Sequence, residues 1–344
     1  MIQILVSENS MHMHVPREHH PENPERIVRA ISALKRHGIR YELHDAGRMD
    51  TGEALSIARR IHSRGYVDKI QMLSKKTPLN IDPDTYLSSD TLTLALETLY
   101  TSYLTALNLD RDIVFYIARP PGHHAGYHGK TRRARTQGFC IFNNAVAAVH
   151  GFIDRGFKNI GILDFDAHYG NGSMELLYTS RILQVDLHQD TRSLPVFPWN
   201  PSEIGAGDGY GYKIGIPLEP GTGDDSFVQV LGTVKRIIEK YNPEALVVSA
   251  GFDGFIGDGL TDLVLTEYSY YRIGYMIQGF GIPVAIVLEG GYSRGLDKGL
   301  VAFIHGLTGT RVAYAPGRSL QGGIARVNLA RANKIISRVE KYIV

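Results

Sequence analysis

The stretch NIGILDFDAHYGNG, residues 159–172, decides how this chain is read. A short apolar run, Ile160 to Leu163, leads straight into Asp164-Phe165-Asp166-Ala167-His168. A strand alternates its side chains with a period of two, which predicts Asp164, Asp166 and His168 on one side. Two carboxylates and an imidazole gathered at a buried strand end are costly unless a cation neutralises them. The stretch therefore reads as the end of a buried strand and as part of a metal site.

Working outward, similar strand-length apolar runs recur at 2–6, 112–118, 182–187, 212–217, 245–251 and 283–291. Most are continuously apolar rather than alternating, the pattern of strands covered on both faces. Between them, 24–38, 91–107, 143–156 and 225–241 carry apolar residues at helical spacing. Strands alternating with helices predict an α/β fold built on a mostly parallel sheet. Neither an internal repeat nor a low-complexity linker interrupts it. The expected organisation is a catalytic domain over residues 1–310 with a basic helical extension, 311–344, packed on it.

Parallel sheets of this kind place their sites at the carboxyl ends of the strands. Three further strand ends are unusual. RPPGHHA (119–125) sets His123 and His124 side by side after a tight turn. SAGFD (249–253) ends in Asp253, a carboxylate that can complete the metal site. Two Asp and one His leave a coordination position open, as in catalytic rather than structural zinc. LEGGY (288–292) offers Tyr292, whose phenol can donate a hydrogen bond to a developing oxyanion. Taken singly, each has an ordinary structural explanation: loop histidines, a helix cap, a packed surface aromatic.

Composition agrees. The chain has 344 residues, 14 His and 1 Cys, so a disulfide framework and a site of Cys ligands are both excluded. Its 37 Lys and Arg nearly balance 35 Asp and Glu. The balance is uneven along the chain. Residues 311–344 hold seven basic residues and one acid, and GKTRRAR (129–135) holds four basic residues and no acid. No signal peptide pattern or apolar run of membrane-spanning length is evident, so a cytoplasmic protein is expected.

These motifs together, with GFCIFNNA (138–145) and HHPENPERI (19–27), resemble the zinc-dependent histone deacetylase superfamily, especially its class II and bacterial or archaeal branches. That superfamily includes acetylpolyamine amidohydrolases and acetoin-utilisation proteins. The resemblance implies the arginase–deacetylase fold, a single eight-stranded, mostly parallel sheet flanked by helices. It also implies Zn2+ held by Asp166, His168 and Asp253, one per chain. His124 would be the general base, supported by Asn171. His123 would be its electrostatic partner, bonded to Asp164, and Tyr292 the oxyanion donor. Gly138, Phe139 and Phe197 would line a narrow tunnel. Asp164, with backbone carbonyls near Leu187, resembles a structural site for K+ or Na+. The implied reaction removes an acetyl group from an N-acetyl-lysine-like amine.

Leu260 stands near the position where polyamine-specific relatives carry a gatekeeping Glu, which argues against strict polyamine selectivity. The substrate is therefore read as acetylated lysine, with a polyamine or another small acyl-amine as the alternative. Neither membrane nor nucleic acid is an expected partner. The extended loop after His128 and the C-terminal segment are the candidate surfaces for self-association. Three rival readings are weaker. An arginase-like ureohydrolase would need a carboxylate where Gly170 stands. A serine hydrolase is suggested by Gly291-Tyr292-Ser293-Arg294-Gly295, but only Asp297 and His305 follow as partners. A non-catalytic scaffold is opposed by a complete set of site residues.

Overall fold

In the computed structural model, residues 2–343 are described except 46–48, 132, 199 and 201. Eight strands form one sheet: β1 (Ile2–Ser7), β2 (Glu42–His44), β3 (Ile113–Ile117), β4 (Ile160–Asp164), β5 (Leu183–Gln189), β6 (Lys213–Leu218), β7 (Ala245–Ala250) and β8 (Val284–Leu288). Every pairing in it is parallel, and the order is β6-β5-β4-β7-β8-β3-β1-β2. Seven of the eight match the apolar runs. The exception, β2, is a three-residue edge strand with Glu42 and Leu43 exposed, so no apolar run marks it.

Apolar residues cover both faces of the sheet. One face packs on Ile27, Leu34, Phe227, Val234, Phe252 and Phe303. The other packs on Leu96, Leu99, Val146, Val149 and Phe152. The helices that supply these layers end as their sequences dictate. In α5 (Asn144–Arg155), the Asn143 side chain accepts from the Val146 amide, and Gly156 closes the helix at a φ of 106°. The four expected helices are present as α1 (Glu25–Arg36), α4 (Thr91–Asn108), α5 and α7 (Asp224–Tyr241). The C-terminal helix α10 (Ile324–Val339) packs on α7 and β6. Ile336 and Ile343 are buried in the same core as the sheet, and Ile335 is half-buried against it.

The strand order positions the site. The four strands that carry the unusual ends, β4, β7, β8 and β3, are neighbours at the centre of the sheet. Their registers are level: Asp164 pairs with Ser249, Ala250 with Leu288, and Val287 with Tyr116. Four segments far apart in sequence therefore deliver their polar residues to one place.

The basic loop 129–135 is pinned down rather than projecting. Gly129–Lys130 pairs with Ala125–Gly126, Ala134 is buried, and the Arg135 amide donates to the Val196 carbonyl. Its cationic heads Lys130, Arg133 and Arg135 are exposed, while Arg132 lies outside the described residues.

Lys213, at the start of β6, is fully buried. Its ammonium donates to the carbonyls of Ser180 (2.9 Å) and Ile182 (2.6 Å). Burial lowers its pKa to about 7. The unfolded chain holds this proton up to the ordinary lysine range, whereas the folded chain releases it near neutrality. Folding stability should therefore rise with pH from about 7 to about 10. Denaturant unfolding across that range is expected to show a shallower rise in Lys213→Met than in the parent.

Candidate active site

Asp166, His168 and Asp253 each offer a ligand atom, and those atoms lie within 4.8 Å of one another. His168 Nδ1 is 2.7 Å from Asp253 Oδ2 and 3.2 Å from Asp166 Oδ1. Backbone amides hold the remaining carboxylate oxygens. Gly290 N donates to Asp166 Oδ2 at 2.7 Å, and Ala167 N donates to Asp253 Oδ1 at 3.0 Å. Glycine is required at position 290, because a Cβ there would lie 2.5 Å from Asp166 Oδ2 and 2.7 Å from Asp253 Oδ2.

The period-two expectation needs one correction. Strand β4 stops at Asp164, and the alternation stops with it. Asp166 and His168 reach the metal group from the loop beyond. Asp164 stays outside that group and accepts from His123 Nδ1 at 3.0 Å.

The two adjacent histidines are electrostatically opposite. Burial disfavours a charged His123, but Asp164, Asp166 and Glu289 outweigh it and hold its pKa well above the ordinary value. For His124, burial and the positive charges of His123 and His168 act together, and its pKa falls well below the ordinary value. His124 Nδ1 donates to Asn171 Oδ1 at 2.7 Å, leaving Nε2 as the unprotonated nitrogen. Asn171 is itself tied to the Thr131 hydroxyl at 2.5 Å. The His124 ring lies 6.1 Å from the His168 ring, centre to centre.

The aromatic residues surround this chemistry. Phe197 stacks on His124 at 3.6 Å and meets His168 edge-on at 6.1 Å. Phe139 meets Tyr292 edge-on at 5.8 Å. Gly138 is wedged between His124 and Phe197, with room for no side chain. Gly138 and Phe139 both adopt left-handed backbone, at φ 54° and 70°. That conformation is costly for a bulky residue and is typical of a constrained site. Tyr292 is half-buried beside the metal group, and burial pushes its phenol well above the usual range. Leu260 is half-buried next to Thr261, whose hydroxyl donates to the Asp253 carbonyl. Leu187 lies in β5, one residue after Asp186, which pairs with Asp164 across the sheet.

Several site residues escaped sequence reading. Glu289 is buried, and its Oε2 accepts the amides of Gly122 and His123. Arg26 donates to the carbonyls of Gly291 and Glu289, and its guanidinium lies 4.7 Å over the Tyr292 ring. Glu22 binds both Arg26 and Arg119. Asp258 accepts the amides of Tyr292, Ser293 and Gly295. His20 packs edge-on against Phe139 and Tyr86. The motif HHPENPERI contains three of these actors, His20, Glu22 and Arg26, yet nothing in its pattern shows how Arg26 folds back onto the Gly290-Gly291 turn.

The serine hydrolase reading fails on geometry. The Ser293 hydroxyl bonds to Asp258, while His305 pairs with Tyr314 at 2.8 Å.

Comparison with known proteins agrees with this geometry. The histone deacetylase domain matches residues 20–307. A "Probable deacetylase" of Methanothermobacter thermautotrophicus is 31% identical over 95% of this chain and 96% of its own length. The crystal structure of the HDA15 HD domain superposes with a TM-score of 0.83 at 25% identity, covering 99% of this chain and 97% of that one. An acetylpolyamine aminohydrolase from Burkholderia pseudomallei superposes with a TM-score of 0.75, also at 25% identity, over 90% of this chain and all of its own. With its all-parallel eight-stranded sheet and a domain match spanning most of its length, the chain belongs to the histone deacetylase family.

Proposed function

We propose that this protein is a zinc-dependent amidohydrolase that removes the acetyl group from an N-acetyl-lysine-like amine, releasing acetate and the free amine. One observation carries the reading: an Asp-His-Asp group of metal-binding geometry stands beside a histidine held neutral and oriented by Asn171. Two buried carboxylates and an imidazole suit a borderline divalent cation, and three protein ligands leave a position open. Asp166, His168 and Asp253 would hold it. When bound, zinc lowers the pKa of water and polarises the amide carbonyl.

The chain's own groups do the rest. His124 Nε2 accepts a proton from the attacking water, then returns it to the departing nitrogen. His123, kept charged by Asp164, holds His124 neutral. Tyr292 donates its O–H to the oxygen that becomes negative. Gly138, Phe139 and Phe197 enclose the aliphatic chain. A structural K+ or Na+ belongs to the same proposal, with Asp164 and the Leu187 carbonyl as donors. Its support is the approach of Asp164 and Asp186 carboxylates around Gly170, where a Cβ would meet both. The catalytic domain is read as 1–310, with 311–344 as an extension buried into its core through Ile336 and Ile343.

The overlap with an acetylpolyamine aminohydrolase favours a second reading, hydrolysis of an acetylated polyamine. Half-buried Leu260 supplies no carboxylate for a polyamine's second ammonium. A fluorogenic acetyl-lysine amide and N-acetylputrescine, assayed in parallel, should show the higher kcat/KM on the lysine substrate. The opposite ratio selects the polyamine reading. Exhaustive chelation should abolish both activities and added zinc should restore them. Full activity after verified metal removal would exclude the mechanism.

A further inference from the structure

The basic loop after His128 reaches the candidate catalytic centre through one buried hydroxyl. Thr131 is buried, and its Oγ1 accepts from Asn171 Nδ2 at 2.5 Å. The other end of the same amide, Asn171 Oδ1, accepts from His124 Nδ1 at 2.7 Å. The Asn171 backbone is already fixed. It begins α6 (Asn171–Leu176), and the next two amides, those of Gly172 and Ser173, donate to the His123 carbonyl at 3.0 and 3.1 Å. The contact is close enough that a Cβ on Gly172 would lie 2.4 Å from the His124 carbonyl carbon. The rotation of the side-chain amide is not fixed by this backbone, because the terminal torsion of asparagine is broad and roughly two-fold. Turned over, the amide would offer an N–H to His124 Nδ1, and the imidazole proton would have to sit on Nε2.

Thr131 is itself held. Gly129–Lys130 pairs with Ala125–Gly126, and the Thr131 carbonyl accepts the Ala134 amide at 3.1 Å. Its Cγ2 methyl rests on Gly126, where a Cβ would come within 2.8 Å of it. The hydroxyl is therefore presented to Asn171 from a fixed side, and Asn171 Nδ2 has no other acceptor among the described residues. We propose that Thr131 is a positioning residue for the proton carrier: its hydrogen bond to Nδ2 keeps the Asn171 oxygen on His124, so that Nδ1 bears the proton and Nε2 stays free. The inference rests on the reading of His124 as the group that takes the proton from water. Without the hydroxyl, Nδ2 is buried with no acceptor. The amide escapes that penalty only by turning, which gives up the bond to His124 or reverses it.

Thr131→Val keeps the side chain's volume and Thr131→Ala empties it. Both are expected to lower kcat on the acetyl-lysine amide by about tenfold or more with little change in KM, the loss typical of removing a partner that orients an imidazole. Thr131→Ser keeps the hydroxyl and should recover most of the parent kcat. In an Asn171→Ala background, Thr131→Ala should cost nothing further, because its effect is transmitted by the amide. Imidazole nitrogen NMR of the histidine-labelled full chain supplies a readout that needs no substrate, with the His124 signals identified by their loss in His124→Ala. The parent should show Nδ1 protonated and Nε2 not, and Thr131→Val should show the two tautomers averaged. That change in a parent chain without hydrolytic activity would sink the proposed function and uphold the positioning role. Parent kcat in both Thr131→Val and Thr131→Ala overturns the inference. So does an unaltered His124 tautomer in Thr131→Val, or a full further loss in the Asn171→Ala background.

Discussion

Replacing Tyr292 with Phe is expected to lower kcat on an acetyl-lysine amide by about 10²–10³-fold, the usual cost of losing one oxyanion donor. The substitution removes only the hydroxyl. The ring contact with Phe139 and the guanidinium of Arg26 over its face both survive, and the Tyr292 amide still donates to Asp258 at 2.7 Å. The KM should therefore move little, and the protein should unfold at the same temperature. His124→Ala removes the proposed proton carrier and should cost about 10²–10⁴-fold. The two losses should not multiply in the double variant, because groups acting on one transition state are coupled. Steady-state kinetics of zinc-loaded protein read both effects. Wild-type turnover in Tyr292→Phe and in His124→Ala would refute the assignment.

The largest stability effect is expected at Glu22. Its carboxylate is fully buried between two fully buried guanidinium groups, with Arg119 Nε at 2.7 Å and Arg26 on the other oxygen. Arg119 also donates to the carbonyls of Met13 and His14 at 2.6 Å each. The network ties the N-terminal loop to the tandem-histidine turn and, through Arg26, to the turn bearing Tyr292. Glu22→Ala leaves two cations uncompensated, a change that typically costs about 3–5 kcal/mol. Burial raises the Glu22 pKa, but Arg119 and Arg26 prevail and bring it down to about 2. The unfolded value lies near 4.5. A lowered carboxylate pKa means that the contribution is complete above about 4.5 and is lost as pH falls toward 2. Acid unfolding of the parent should steepen in that window, and Glu22→Ala should flatten it. Wild-type stability in Glu22→Ala, measured by denaturant titration at pH 7, would contradict this account.

How much of this was legible in the sequence depends on the range of the interaction. The central strands were legible because burial on both faces imposes continuous apolar runs, as in Ile160–Leu163 and Ala245–Ala250. β2 was not, because a three-residue edge strand with exposed side chains needs no such run. Helix α2 (Thr51–Ile61) carries a local signal of its own: Asp50 caps it, and Ala54, Ile57, Ala58 and Ile61 line its buried face. The Asp166-His168-Asp253 group was legible because its three residues sit in two short motifs. The partition between His123 and His124 was not readable from their adjacency. It depends on Asp164 and Glu289, which arrive from β4 and from the end of β8. Arg26, Glu22 and Asp258 act across long separations in sequence, through hydrogen bonds that no local pattern encodes.

The interleaving of the central strands has a consequence for synthesis. In space the order is β4-β7-β8-β3, but in time the ribosome releases β3 first and β8 last. The tandem histidines at 123 and 124 leave the ribosome long before the strand that separates β3 from β7 exists. Until Val284–Leu288 docks between them, Glu289 cannot hold the histidine turn, and Gly290 cannot hold Asp166. The nascent chain therefore carries all three candidate metal ligands, Asp166, His168 and Asp253, by residue 253 and still lacks the contacts that assemble the candidate site. Under the proposed function, metal capture and hydrolytic competence would be separate events during biosynthesis, divided by the emergence of a single five-residue strand.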